Sequence, residues 1–527
     1  MRIARRALPL ILALLLPGLV PAAHAATPPG DCLVEVGGVN LQTATILDLQ
    51  EAMSRPVDPL TSEELVNRYL QRIAFFDSSG ASLNSIRALN PNALQEAREL
   101  DAERAAGHVR GPLHGVPVLL KDNVGTVEMP TTAGSIALKG LVPVRDAFIT
   151  QRLREAGAII LGKTNLSEFA NWVDLSMPNG YSSLGGQVKN AYTFGDPSGS
   201  SAGSGVAESM ALTTAAVGTE TSGSIISPST ANGVVGIKPT LGLTSRAGVV
   251  PLAPSFDVVG PMTRNVTDAA IMLGAMTGVD ARDAATAAQA DHVPPNADYT
   301  PVLDPGRLVG ARLGFDPNDR PSGAAGTVFD RAVADLKAAG AEMVTLDDSL
   351  KDGANVGLAE IGAIPNEFKA SLNQYLSEQP TPASGVKTLA DIVAYNDQHP
   401  DEVKYGQNLL IASNATPGDM TVGAPNREAS VRSAQTAIDQ TFIRNDLDAI
   451  ISSGAQYVNV GAAAGYPTIT VPAGLAGGNR VSLSFLGRAW YEPRLIGFAY
   501  AYEQASQRRV PPTAVNAGLF PEGCSAT

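Results

Sequence analysis

An α/β fold with a largely buried sheet is predicted by two features of this 527-residue chain. Short apolar runs without polar alternation, such as Val116–Leu120 and Ala158–Leu161, read as strands covered on both faces. Capped or amphipathic stretches recur between such runs, and that alternation is the pattern of helices packed on a sheet. Hydrophobic residues are 44% of the chain and charged ones 17%, the balance of a folded protein rather than a disordered one. No repeat or linker divides it, so a single large domain is expected over residues 47–510.

The elements follow in order. Leu60–Asp77 is predicted to be an amphipathic helix: Thr61 and Glu64 form a capping box, and Leu65, Tyr69, Leu70 and Ile73 share a stripe. Asn90-Pro91 reads as the N-cap and first turn of a second helix, which Gly107 ends. The run Val116–Leu120 delivers Lys121-Asp122-Asn123 at its end. Asp146–Ala156 is a helix stopped by Gly157, and the strand Ala158–Leu161 comes next. Val206–Val217, built of small residues, has room for a short helix and a buried strand. A helix is expected at Val266–Thr277, and a helix-then-strand unit at Phe329–Ala339 with Ala341–Leu346. Thr277–Gly306, rich in Ala, Asp and Pro, reads as a surface excursion, and Asp347–Gln440 as a mainly helical cover over the sheet.

Residues 1–25 read as a signal peptide. Arg2, Arg5 and Arg6 precede the apolar run Ala7–Val20, and Ala23-His24-Ala25 has the small-x-small form of a cleavage site. The run is shorter than the ~20 residues of a spanning helix. The expectation is an exported monomer with no membrane attachment once the segment is removed, an extension over 26–46 and a tail over 511–527. Its two cysteines, Cys32 and Cys524, lie near the two mature ends. In an oxidising compartment they can close one disulfide; two free thiols are the alternative. A net charge of −13 with no long basic run argues against nucleic acid or an anionic membrane as partner.

Chemistry concentrates in Asp196–Gly236. Two Ser/Gly turns lie there, Pro197-Ser198-Gly199-Ser200-Ser201-Ala202-Gly203-Ser204 and Gly218-Thr219-Glu220-Thr221-Ser222-Gly223-Ser224. Glycine lets a substrate approach the main chain, and serine brings a hydroxyl that attacks a carbonyl or passes a proton. With a lysine to deprotonate a hydroxyl, they suggest nucleophilic hydrolysis without histidine. Lys121 has two readings: a strand-end lysine paired with Asp122, or a desolvated amine of lowered pKa that acts as a base. The residues alone leave both open.

Other motifs weigh less. Gly157–Thr164 spells the phosphate-loop pattern, but Ala158–Leu161 is too apolar to offer free backbone N–H groups. Gly199-Ser-Ser201-Ala-Gly203 spells a nucleophile elbow without a preceding strand, and only His292 and His399 follow it. Ser384-Gly-Val-Lys387 lacks the companion motifs of penicillin-recognising enzymes. The histidines are scattered, there is no H-E-x-x-H, and neither a metal nor an organic cofactor is expected.

Taken together, Gly115–Asn123, Pro197–Ser204, Gly218–Ser224, Gly236-Ile-Lys-Pro-Thr240, Asp257–Arg264 and Ala464–Pro472 resemble the amidase signature family. The resemblance runs from about Leu47 to Arg508. It is nearest to the bacterial peptide amidases through Gly111–Gly115, Gly162–Glu168 and Ala501–Gln504. It implies the amidase signature fold, a mixed sheet flanked by helices. It also implies a Ser–cis-Ser–Lys triad with Ser224 as nucleophile, Ser200 as the bridging serine after a cis peptide, and Lys121 as base. The backbone N–H groups of Thr221, Ser222, Gly223 and Ser224 would form the oxyanion hole. The implied substrate is a small-molecule or peptide amide. Two departures stand out: Ser222 occupies a position where the family has glycine or an acidic residue, and a proline-containing block is replaced and shortened at Ile450–Gln456. The rival readings are a serine esterase built on Ser201 and a histidine, an exported binding protein without catalysis, and a tRNA-linked amidotransferase subunit, which export argues against.

Overall fold

A computed structural model describes residues 33–346, 350 and 363–520. The signal-peptide segment, Cys32 and Cys524 lie outside them. Eleven strands form one mixed sheet: β1 (Ile86–Leu89), β2 (Pro117–Lys121), β3 (Ile159–Thr164), β4 (Ala215–Glu220), β5 (Val235–Lys238), β6 (Val258–Thr263), β7 (Arg312–Phe315), β8 (Glu342–Thr345), β9 (Ala449–Ser453), β10 (Thr468–Ala476) and β11 (Asn479–Leu486). Their order across the sheet is β8-β7-β9-β11-β10-β5-β6-β4-β2-β3-β1. β2 runs parallel to both β3 and β4, whereas β6 is antiparallel to β4.

Both faces of the sheet are covered, which explains the unbroken apolar runs. Leu119 and Leu161 pack in one cluster with helices Ser62–Arg72, Ala93–Ala105 and Ala202–Ser209. Their neighbours Val118, Leu120 and Ile160 pack in another with helices Phe148–Glu155 and Val266–Met276. The expected cover exists as helices Ala363–Ser377, Leu389–Asp397, Asn408–Asn414 and Ala424–Asn445. Phe368, Leu372, Leu389 and Ile438 pack there against Phe169 and Phe256. The result is a single α/β domain.

Two helix boundaries differ from expectation. Thr61 and Glu64 do form the capping box, but the α-helix stops at Arg72 and a π-turn, Ile73–Ser78, continues it. Arg72 is fully buried and donates from its side chain to the carbonyls of Ala211 and Met210, so tertiary contacts govern that end. The second helix starts at Ala93, because Asn90 spends its side chain on a turn: its Oδ1 accepts from Asn92 N.

The spelled phosphate loop is strand β3, buried throughout and paired on both sides. Its Gly162 is required by strand packing, since a Cβ there would meet the Ala88 carbonyl at 2.4 Å. Gly203 performs the same service for the helix Ala202–Ser209, whose close approach sets the preceding turn. A Cβ on Gly203 would lie 2.3 Å from the Asn165 carbonyl oxygen and 2.4 Å from that of Ser85. Gly203→Ala is therefore expected to destabilise the fold by about 1–3 kcal/mol, the usual cost of overpacking. Urea unfolding would measure it, and an unchanged midpoint would contradict the packing described.

Candidate active site

The parallel strands β2, β3 and β4 end at one edge of the sheet, where open α/β sheets place ligands. Lys121 closes β2, paired with Thr164 at the end of β3, and is fully buried. Its Nζ lies 2.8 Å from Ser200 Oγ, 2.9 Å from Thr219 Oγ1 and 3.3 Å from the Thr219 carbonyl oxygen. Asn123 Nδ2 donates to the same Thr219 hydroxyl at 3.0 Å. Burial pushes the Lys121 pKa down to about 7, opposed by the charges of Asp257 and Glu220. Loss of solvent disfavours the ammonium more than those two carboxylates favour it.

The alternative pairing of Lys121 with Asp122 is absent. Successive strand residues point to opposite faces, and Asp122 faces Lys163 across a buried 3.5 Å pair while accepting from Thr132. Asp122 thus braces the strand from behind.

Ser200 is fully buried, and the Gly199–Ser200 peptide bond is cis. Its turn is fixed from several sides. Ser198 N donates to Asp196 Oδ1, Asn232 Nδ2 donates to the Pro197 carbonyl, and Ser167 N donates to the Ser200 carbonyl. Ser201 N donates to the Ser224 carbonyl at 3.2 Å, tying the first Ser/Gly turn to the second. Ser201 Oγ donates to the Thr219 carbonyl at 3.1 Å. Neither histidine partners it: His292 stacks on Trp490 and His399 on Tyr395.

The second turn arches from β4 into the helix Ile226–Asn232. Glu220 clamps its two ends, because Oε2 accepts from Ile225 N at 2.7 Å and Ile226 N at 3.0 Å. Thr221 Oγ1 donates to Asp257 Oδ1 at 2.5 Å, and Asp257 Oδ2 accepts from Leu252 N and Ala253 N. Gly223 has φ +81°, which glycine adopts without strain. Ser222 Oγ donates to Asn459 Oδ1 at 2.8 Å. Among the described residues, no acceptor is paired with the backbone N–H of Thr221, Ser222, Gly223 or Ser224. Thr221 and Ser224 are each only 6% exposed.

A cavity of about 450 Å³ adjoins this arch, lined by Asn123, Thr219, Thr221 and Asp257 on the sheet side. Arg246, held by Asp283, and Tyr375 of the helical cover line it too. Sequence reasoning missed Asn123, Thr219, Glu220 and Asp257 as parts of the site. For the first three the only signal was adjacency, in Lys121-Asp122-Asn123 and Gly218-Thr219-Glu220-Thr221, and Asp257 opens the block Asp257–Arg264. Among the described residues, no three His, Cys, Asp or Glu side chains gather as a metal ion requires, and no helix is long and apolar enough to cross a membrane.

Known proteins share this architecture. The Amidase family model matches residues 64–455. A probable amidase of Arabidopsis thaliana is 40% identical over 487 residues, 90% of this chain and 92% of the relative. The peptide amidase of Stenotrophomonas maltophilia superposes with a TM-score of 0.82 at 41% identity, covering 89% of this chain and 98% of its own. A peptide amidase in complex with the competitive inhibitor chymostatin gives a TM-score of 0.84 at 40% identity, over 89% and 99% of the two chains.

Proposed function

The chain belongs to the amidase family and hydrolyses amide C–N bonds; from that premise we propose that it does so through a Ser–cis-Ser–Lys relay and an acyl-enzyme. The observation that carries this reading is the 2.8 Å contact between buried Lys121 Nζ and Ser200 Oγ, beside the arch that holds Ser224. A neutral amine has two N–H donors and one lone pair. The Thr219 carbonyl can only accept, so it takes one N–H. The Thr219 hydroxyl takes the second, which leaves the lone pair for the Ser200 O–H.

In the first half-reaction Lys121 Nζ accepts the Ser200 proton, Ser200 Oγ accepts the Ser224 proton, and Ser224 Oγ bonds the carbonyl carbon. The carbonyl oxygen gains the negative charge beside the unspent N–H groups of residues 221–224; such preorganised donors are worth roughly 10²–10³ each in rate. When the C–N bond breaks, the relay returns the proton to the departing nitrogen. Water then attacks the ester, its proton follows the same path, and the carboxylic acid leaves.

The substrate class proposed is carboxamides, with peptide C-terminal amides among them. Support comes from the peptide amidases above and from a cavity of about 450 Å³, roomy enough for a side chain and its flanking backbone. Export is proposed from Arg2, Arg5, Arg6, the run Ala7–Val20 and the site Ala23-His24-Ala25. N-terminal sequencing of protein recovered outside the cytoplasm should begin at Ala26; an intact Met1 there would contradict it.

Ammonia release from a panel of peptide, fatty and small amides tests the substrate proposal, and fastest turnover of peptide amides is the expected result. Ser224→Ala is expected to abolish release and Lys121→Ala to do so nearly; wild-type turnover in either overturns the relay. Because the neutral amine is the base, kcat/KM should fall as pH drops through about 7. Thr219→Val removes an acceptor that holds the ammonium at least as well as the amine. It should lower the plateau rate roughly tenfold, the worth of one directed hydrogen bond, and move the acid limb to lower pH. Thr219→Ser should restore both. A lowered plateau with an unmoved limb would reduce Thr219 to a packing role.

A further inference from the structure

A second pocket lies at the opposite edge of the sheet. β6 begins at Val258, opposite Glu220 of the site just described, and Arg264 follows its other end. At ~3.3 Å per residue the two ends are about 20 Å apart. The pocket there has a volume of about 280 Å³, and Gln42, Arg264, Glu503, Ser506, Arg508 and Arg509 are among its walls.

Its charges do not cancel. Arg264 is paired with Glu208 at 2.7 Å, and Arg508 grips Asp335 with Nε and Nη2. Both carboxyl oxygens of Glu503 accept from Val266 N, so they are turned to the backbone, and burial pushes its pKa up to about 8, as it does for Glu208. Arg509 has no ion-pair partner among the described residues. Its Nη1 donates to the Gln42 carbonyl at 2.9 Å, and its Nη2 to Gln42 Oε1 and the Ser209 carbonyl at 3.2 and 3.1 Å. Those oxygens are all neutral. Burial and the neighbouring Arg264 pull its pKa down, against Tyr192, Glu208 and Glu503, only to about 10, so it remains a cation.

Unspent hydrogen-bonding groups gather on the same walls, Ser506 Oγ among them, and three of them can only donate. Arg509 Nε, Arg264 Nε and Gln42 Nε2 are buried donors without an acceptor. Gln42 and Arg264 are only 5% and 4% exposed, so bulk water does not serve them freely. A desolvated cation without a contact ion pair and a buried donor without an acceptor are each costly. One kind of ligand answers both needs. We propose that this pocket binds a small oxyanion, phosphate, sulfate or a short dicarboxylate, whose acceptor-only oxygens take the free donors of Arg509, Arg264 and Gln42. Guanidinium groups suit such ligands because their charge is delocalised and their donors are fixed in a plane.

The bound anion would join three distant parts of the chain: the N-terminal segment at Gln42, the sheet at Arg264 and the C-terminal segment at Arg509. Its effect falls on stability and leaves amide turnover unchanged, since the catalytic edge is about 20 Å away.

Thermal unfolding in sodium phosphate, sodium sulfate or sodium malonate, matched in ionic strength with sodium chloride, tests the proposal. A ligand that binds only the folded chain raises its midpoint saturably. The expected rise is about 2 °C in at least one of the three salts, half complete at roughly millimolar concentration and absent in Arg509→Gln. The ranking of malonate against phosphate tells a carboxylate site from an inorganic-oxyanion site. Should Arg509→Gln fail to fold, Gln42→Ala keeps the cation and should raise the half-saturating concentration roughly fivefold, the worth of one hydrogen bond. No rise above chloride overturns the proposal. So does a rise that never saturates, the mark of general salt exclusion, or one that both variants share with the wild type.

Discussion

Lys121 is carried into the core by a strand that offers it no counter-ion of its own. An ammonium group loses several kcal/mol of hydration in such a place unless it is paired. Three neutral oxygens surround Nζ instead, from Ser200 and Thr219. The nearby carboxylates raise its pKa but are engaged elsewhere. Glu220 holds two backbone N–H groups at the start of the next helix, and Asp257 holds Thr221 and two more N–H groups. Either one turned onto Nζ would restore the charge that burial removes. The hydrogen bonds that shape the arch are therefore the same ones that leave the amine free to shed its proton near pH 7.

Two other lysines are lowered in pKa by burial in the same way and differ from Lys121 in what they touch. Lys163 and Lys238 are also fully buried, at or near the ends of β3 and β5. Lys163 rests on Asp122 and Thr131, and burial lowers its pKa against the pull of Asp122. Lys238 donates to the carbonyls of Tyr466 and Pro239, pinning the start of β10 to the end of β5. Neither touches a serine of the two Ser/Gly turns. What sets Lys121 apart is the serine at 2.8 Å and the threonine that occupies its remaining hydrogens.

Legibility in the sequence followed the range of the interaction. The Thr61–Glu64 capping box is three residues long and was readable, as were the strands of β2 and β3, whose alternate residues enter two apolar clusters. The π-turn after Arg72 was not, because its cause is a guanidinium reaching carbonyls about 140 positions away. Seven sheet strands went unread, five of them for a similar reason; β10 and β11 pair locally across Gly477-Gly478. β5 and β7 have four residues each and acquire their identity only by pairing across the chain. In the site, the serines and glycines announced themselves by spelling, and the family resemblance supplied their roles. Thr219 and Asn123 sit inside those same motifs, yet their contact spans 96 positions, and nothing local marks it.

The two departures from the family pattern lie close together in the fold. Ser222 and the altered block at Ile450–Gln456 are more than 200 residues apart, and from the sequence they read as independent. In the fold, β9 occupies much of that block, and the helix Val458–Ala464 follows it directly. Asn459 of that helix accepts the Ser222 hydroxyl, and Val458 stands 3.2 Å from where a Cβ on Gly223 would lie. A glycine at 222 would leave Asn459 without this partner, and an acidic residue would require the Asn459 amide to turn and donate from Nδ2. The polar residue at 222 and the chain that supplies Asn459 thus constrain each other, and they do so at the wall of the arch that would hold the developing charge. Changes at either position should be read as changes to that wall as a whole, because each fixes the hydrogen-bonding state of the other.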